Sequence, residues 1–197
     1  DKILIIDLDL VPIIEKIILD CPNVEKLVIL CSKADLPSTK FSEVISYEEL
    51  LSMGSENFEW IKGEETDACG ICYTSGTTGN PKGVVYTHRS NTLHALTQAA
   101  PDMLNLSSTD TIMPVVPLFH ANGWSIAYTA PLVGSSIVFP GGDLSPSSLY
   151  DMLERGVTIT AAVPTVWLLL LNFLESEKKE LSSCLLYTSP SPRDGRI

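Results

Sequence analysis

Tyr73-Thr74-Ser75-Gly76-Thr77-Thr78-Gly79-Asn80-Pro81-Lys82-Gly83 continues an apolar run that begins at Ala68. Five hydroxyl side chains, three glycines and one lysine fall within these eleven positions. Glycine lets a backbone turn through positive φ and lets its N–H groups come close to a ligand. Successive N–H groups in such a turn form a concave anion site, to which Ser and Thr hydroxyls add donors or cation-facing oxygens. Lys82 adds a mobile point charge suited to phosphate. The composition is that of a phosphate cradle; the alternative is a Gly/Thr-rich hairpin turn with no ligand.

The spacing is not that of the Walker loop, which needs G-x-x-x-x-G-K-[ST] followed by a helix. Lys82 is preceded by Pro81 and followed by Gly83-Val84-Val85-Tyr86-Thr87, a β-branched and aromatic run that reads as a strand. A cradle between two strands has no helix dipole behind it, so phosphate would be held by N–H groups, hydroxyls and Lys82.

These residues carry a resemblance. Y-T-S-G-T-T-G-N-P-K-G-V is similar to the signature phosphate loop of the adenylate-forming (AMP-binding) superfamily, which holds acyl-CoA synthetases, coumarate-CoA ligases, luciferases and peptide-synthetase adenylation domains.

Outward from the loop, the N-terminal side reads as alternating elements. Lys2 to Asp7 is a short apolar run suited to a strand buried on both faces. Leu8 to Asp20 sets Leu10, Ile13, Ile14, Ile17 and Ile18 at helical spacing, and Lys26 to Cys31 is a second buried strand. Strand, helix, strand within about 30 residues predicts a βαβ unit and a parallel sheet. Ser32 to Asp67 is polar and acidic and reads as a surface connection with one short helix near Tyr47 to Met53.

On the C-terminal side, Arg89 to Leu104 is helix-like, with Leu93, Leu96, Ala100 and Leu104 as its stripe. Thr111 to Val116 is a strand ending at Pro117, followed by Pro117-Leu118-Phe119-His120-Ala121-Asn122-Gly123-Trp124. Aromatics and a histidine after a strand end sit where open α/β sheets bind ligands, although a His beside a Trp is more often packing than chemistry. Ser135 to Pro140 reads as a strand, and Ser145 to Arg155 as a helix with Ser145 as N-cap. Gly156 to Leu174 is long and uncharged enough to suggest a membrane span, but Pro164 fits the first turn of a helix. The reading is a strand over 157–163 and a buried helix over 164–176, with Trp167 in its core. After Ser183 the composition breaks into two Ser-Pro steps and several charges. Residues 184–197 resemble translated adaptor or vector sequence and are set apart from the fold.

The charge is lopsided, with 13 Lys+Arg against 24 Asp+Glu and a net of −11. This disfavours a nucleic-acid surface and adhesion to anionic lipid. The five cysteines form no dense framework, and Cys69-Gly-Ile-Cys72 is a lone C-x-x-C inside a predicted strand. The chain starts at Asp1 rather than Met, so a cut N-terminus is expected, with the cytoplasm as default location and no transmembrane span.

P-L-F-H-A-N-G-W and A-A-V-P-T-V-W are similar to the motifs of medium- and long-chain fatty acyl-CoA synthetases and methylthioalkanoate-CoA ligases within the superfamily. The resemblance spans residues 1–183 and implies an α/β fold of parallel-rich sheets with flanking helices, part of the large N-terminal domain. It implies an enzyme that activates a carboxylic acid with ATP and Mg2+ to an acyl-adenylate and passes the acyl group to coenzyme A. Thr74 would contact magnesium; Ser75, Gly76, Thr77, Thr78 and Gly79 would embrace the phosphates with Lys82. His120 and Ala121 would border the acyl carboxylate, and Trp124 the mouth of an acyl tunnel. Lys82 and His120 are the candidate catalytic groups. The adenine, ribose and lid motifs of the superfamily do not occur before residue 197, so the isolated chain is expected to lack turnover. A coumarate-type or amino-acid-adenylating enzyme is the alternative on substrate, and a non-catalytic phosphate-binding remnant the alternative on class.

Overall fold

The computed structural model describes residues 2–74, 79–182 and 185–188, with only the backbone of 121–122 and 185–188. The chain divides into two units, 1–62 and 63–197.

The first unit holds a three-stranded sheet of β1 (Ile3–Asp7), β2 (Lys26–Leu30) and β3 (Val44–Ser46), in that order and all parallel. β2 is central, and its Leu27, Val28 and Ile29 are all buried, as a strand covered on both faces requires. β1 differs from expectation. It lies at the sheet edge and alternates: Ile6 packs with Val11, Leu27 and Ile29, whereas Ile3 and Ile5 are more than half exposed.

The single helix expected over 8–20 is broken into a 3-10 turn, the four-residue helix α1 (Val11–Ile14) and a second 3-10 turn at Ile18–Asp20. Pro12 starts α1 but supplies no N–H to any turn before it, and the isoleucines that follow are poor helix formers. The buried positions are Val11 and Ile18, while Leu10, Ile13 and Ile17 are exposed. β3 was not expected, being too short to show periodicity. It runs straight into α2 (Tyr47–Ser52), whose N-cap Ser46 accepts from the Glu49 N–H.

The second unit begins with an antiparallel hairpin of β4 (Ala68–Thr74) and β5 (Lys82–Thr87). α3 (His88–Gln98) follows at once because Thr87 and Ser90 form a reciprocal capping box. α3 stops well short of the expected Leu104, ahead of Pro101, which disfavours helical backbone at the residue before it. Its buried face is Ala95 and Gln98, not the leucine stripe; Leu93 and Leu96 are exposed.

The main sheet follows. β6 (Thr111–Pro114) leads through the short turn α4 (Ala121–Trp124) and α5 (Ile126–Val133) to β7 (Ser136–Ile137). α6 (Pro146–Leu153) leads to β8 (Ile159–Ala162), and α7 (Pro164–Glu177) to β9 (Leu185–Thr188). The order is β7-β6-β8-β9, parallel throughout, so each crossover is a βαβ unit. Successive residues send side chains to opposite faces. Ile112, Ile159 and Ala161 pack with Ile126 and Ala130 of α5, whereas Met113 and Ala162 pack with Leu149 and Leu153 of α6 and Leu170 of α7. The sheet is thus covered on both sides, an α/β arrangement with flanking helices.

Ser145 caps α6 by accepting from the Ser148 N–H, and Pro164 opens α7, both as expected. α7 is less buried than its sequence suggests, with Leu170 enclosed and Leu168, Leu169 and Leu171 exposed. Trp167 packs against the α6–α7 side of the core. Among the described residues no helix is long and apolar enough to cross a membrane. β9 falls in the segment that composition sets apart, and its backbone pairs with β8 from Ile159↔Leu185 to Ala162↔Thr188.

Candidate active site

The β4–β5 hairpin delivers the two ends of the phosphate loop. Its register pairs Cys72 with Val84, Tyr73 with Gly83 and Thr74 with Lys82. Directly opposed residues on antiparallel strands share a face, and residues two apart on one strand share it as well. Cys72, Thr74, Lys82 and Val84 therefore occupy one face, while Ile71 and Tyr73 lie on the other. Thr74 and Lys82 are both exposed at the loop end. Gly79 has φ +133°, with nothing near the position a Cβ would take; conformation rather than space calls for glycine there. Ser75, Gly76, Thr77 and Thr78 lie outside the described residues.

The shared face meets the second motif. The Cys72 thiol, buried, donates to the Phe119 carbonyl at 3.3 Å. The segment after β6 turns tightly at this point: the His120 N–H donates to Pro117 O at 3.0 Å, and the Gly123 N–H to His120 O at 3.0 Å. The His120 side chain is exposed. The structure thus joins the hairpin, at Cys72, to the 117–124 segment, at Phe119. Of Ala121 it describes only the backbone.

Gly123, Trp124 and Ser125 have φ of +62°, +55° and +62°, three left-handed residues in succession. A Cβ on Gly123 would stand 2.8 Å from Leu118 Cδ2, the end of a half-exposed side chain that can shift, so conformation is what calls for glycine here. For Trp124 and Ser125 the conformation costs roughly 1 kcal/mol or more each, and such strain persists only where the surroundings over-determine it. They do. The Gln98 Nε2 donates to Trp124 O at 2.5 Å, and the Thr129 hydroxyl lies 2.5 Å from Gln98 Oε1 and 3.1 Å from Ser125 O. The Trp124 ring is half-buried against the α5 side of the core.

An apolar cavity of about 620 Å3 opens at the carboxyl ends of β6 and β8, lined by Val115 to Phe119, Phe139, Leu144 and Val163 among others. Its size and lining suit a small organic ligand, and its place is where open α/β sheets bind theirs. Cys69 and Cys72 are both free thiols; Cys69 accepts from Asn91 Nδ2 at 3.2 Å.

Gln98 and Thr129 escaped the sequence reading, which took Cys72 only as part of a C-x-x-C. The partners of Cys72, Gln98 and Thr129 are 47, 26 and 31 residues away, and no local pattern marks them.

The chain is 45% identical over 168 residues to a medium-chain-fatty-acid–CoA ligase of Ectopseudomonas oleovorans, covering 85% of this chain and 31% of that protein. It is 42% identical over 197 residues to a long-chain-fatty-acid–CoA ligase of Thermus thermophilus, covering 98% and 35%. The crystal structure of a long-chain-fatty-acid–CoA ligase from Archaeoglobus fulgidus superposes with a TM-score of 0.78 at 29% identity, covering 97% of this chain and 36% of that one. The chain spans about a third of the length of these relatives. The AMP-binding enzyme family matches residues 3–191, taking in the hairpin, the 117–124 segment and the whole parallel sheet, and the chain belongs to that family.

Proposed function

We propose that this chain is the phosphate- and carboxylate-handling part of an AMP-forming acid–thiol ligase that activates a medium- or long-chain fatty acid with ATP and passes it to coenzyme A. The observation that carries this reading is the Cys72–Phe119 contact. It joins the strand face bearing Thr74 and Lys82 to the residue preceding His120, so groups suited to phosphate and groups suited to a carboxylate stand on two sides of one junction.

The first step is opposed by charge, since a carboxylate must attack an already anionic α-phosphate. Lys82 lowers that repulsion and stabilises the departing pyrophosphate. Thr74 offers a hydroxyl oxygen on the same face, with Ser75, Gly76, Thr77, Thr78 and Gly79 completing the cradle. Among the described residues no group of three or more His, Cys, Asp or Glu could hold a metal. The Thr74 hydroxyl oxygen suits magnesium, a hard cation that takes oxygen ligands and keeps several waters beside substrate phosphates. When bound, the ion supplies charge neutralisation on the phosphate oxygens. His120 and Ala121 border the acyl carboxylate, and Trp124 stands at the mouth of the acyl site. The apolar lining after β6 and β8 favours a hydrocarbon over a polar acid and, with the identity to fatty-acid ligases, supports this substrate class. Bacterial relatives and a reaction that consumes ATP and coenzyme A support a cytoplasmic location.

The test is pyrophosphate release by the full-length ligase carrying this chain, with ATP, Mg2+ and a ladder of carboxylic acids. Release that requires a fatty acid is expected. Release with coumarate-like acids or amino acids alone would overturn the substrate class, and none with any acid would overturn the ligase reading.

A further inference from the structure

Gln98 has no place in the motifs that define the site, yet it is buried and holds the strained segment at Trp124 O. It is the last residue of α3 and is 8% exposed. Its two amide atoms have partners of opposite kind. Nε2 donates to the Trp124 carbonyl, and Oε1 accepts from the Thr129 hydroxyl, which is fully buried. A carbonyl can only accept, so the Trp124 end fixes the amide orientation, and the Thr129 hydroxyl, which can donate or accept, donates to the oxygen left facing it.

The carbonyl that Gln98 holds belongs to the peptide between Trp124 and Ser125, two adjacent non-glycine residues with left-handed φ. A return of Trp124 and Ser125 to negative φ would release strain. It would also turn the carbonyl away from Gln98 and leave the buried amide donor without its partner. The hydrogen bond therefore opposes the relaxation that the backbone favours. The change of φ at Trp124 would re-aim its Cα–Cβ bond and with it the indole.

We propose that Gln98, braced by Thr129, is a positioning residue for acyl selection: it locks the Trp124–Ser125 peptide and so aims the Trp124 ring. The inference rests on the reading of Trp124 as the mouth of the acyl site. Gln98 touches neither the acid nor ATP and acts through Trp124.

The experiment measures kcat/KM for a long and a short fatty acid in the full-length ligase. Gln98→Met, which keeps the volume and removes both hydrogen bonds, is compared in the wild-type and Trp124→Ala backgrounds. In the wild-type background the long-over-short ratio is expected to fall about tenfold, the order of one buried hydrogen bond, mainly through KM. In the Trp124→Ala background Gln98→Met should leave the ratio unchanged. An equal loss for both acids, or the same change of ratio in both backgrounds, would overturn the proposal and leave Gln98 a structural residue. Thr129→Val and Gln98→Glu serve if Gln98→Met does not fold; the first removes the brace and the second replaces the donor to Trp124 O by a carboxylate oxygen.

A second readout does not depend on turnover. In the indole 1H–15N spectrum Gln98→Met should shift or broaden the Trp124 signal and spare those of Trp60 and Trp167. A ligase inactive with every acid would remove the functional reading, whereas an unmoved Trp124 signal would remove the lock itself.

Discussion

Thr74 and Lys82 are register partners across the β4–β5 hairpin, the last residue of one strand facing the first of the other. Directly opposed Cβ atoms lie roughly 4.5–5.5 Å apart on one face, so a hydroxyl and an ammonium flank the ends of the phosphate loop as a pair. Removing the charge should therefore affect the phosphate step and not the fold. Lys82→Ala is expected to lower pyrophosphate release about 100-fold, the scale of losing one preorganised electrostatic contact, with an unchanged melting temperature. Lys82→Arg should recover only part of the rate, because a planar fork replaces a compact point charge. An unaffected rate in Lys82→Ala would remove Lys82 from the site.

The apolar lining after β6 and β8 leads to a second expectation, about chain length. Each buried CH2 contributes roughly 0.8 kcal/mol, so kcat/KM for a homologous series of acids should climb about fourfold per carbon until the acyl site is filled. Trp124→Ala should flatten that climb at its long end. A series that is flat in the wild type would show that the acid does not bury its chain.

Strands β6 and β8 were legible because Thr111–Val116 and Val157–Val163 are uncharged and mostly apolar, and both faces of the sheet are indeed covered; β9 was not, since its segment had been set apart from the fold. The Ser145 cap and Pro164 start were legible for the same local reason, since a cap or a first-turn proline acts within one turn of helix. The failures are of two kinds. Over Leu8 to Asp20 the spacing was helical, but Pro12 and the β-branched isoleucines broke the helix into turns. In α3 the leucines pointed to one face, yet the buried face is built on Gln98, whose burial is compensated by Trp124 and Thr129. No window of sequence contains that compensation. The motif residues of the site were readable as chemistry; the contacts that aim them, Cys72 to Phe119 and Gln98 to Trp124, were not.

The Cys72–Phe119 contact can be tested by deleting its donor. Cys72→Val fills similar space without the S–H, which is a weak donor in any case. The expected result is a KM for the fatty acid raised a few-fold, about the loss of one weak hydrogen bond, with the KM for ATP unchanged. A rise in the ATP constant instead would mean that the contact serves the phosphate loop rather than the 117–124 segment.

Asp110 gives the last prediction, one of pH. It stands just before β6, where Oδ2 accepts from the Ser107 N–H at 2.8 Å and the Ser107 hydroxyl at 2.7 Å, and Oδ1 accepts from the Thr158 hydroxyl at 2.8 Å. Thr158 Oγ1 in turn accepts from the Thr111 N–H at 3.0 Å, so the carboxylate ties the starts of β6 and β8 together. Burial pushes its pKa up, but the hydrogen bonds from the Ser107 hydroxyl, the Ser107 N–H and the Thr158 hydroxyl together hold it below the ordinary value. A folded pKa below the unfolded one means that the stabilisation is complete above the unfolded value, about 4. It is lost as pH falls through the folded value. Asp110→Asn keeps one acceptor oxygen and cannot receive all three donors. It should lower the stability of the ligase near neutral pH by about 1 kcal/mol, a charged hydrogen-bond contribution reduced for partial exposure. The gap from wild type should narrow as pH falls below about 4. Urea unfolding of both proteins at neutral and acid pH measures that gap; a gap of the same size at both would show that the charge on Asp110 is not what joins the two strands.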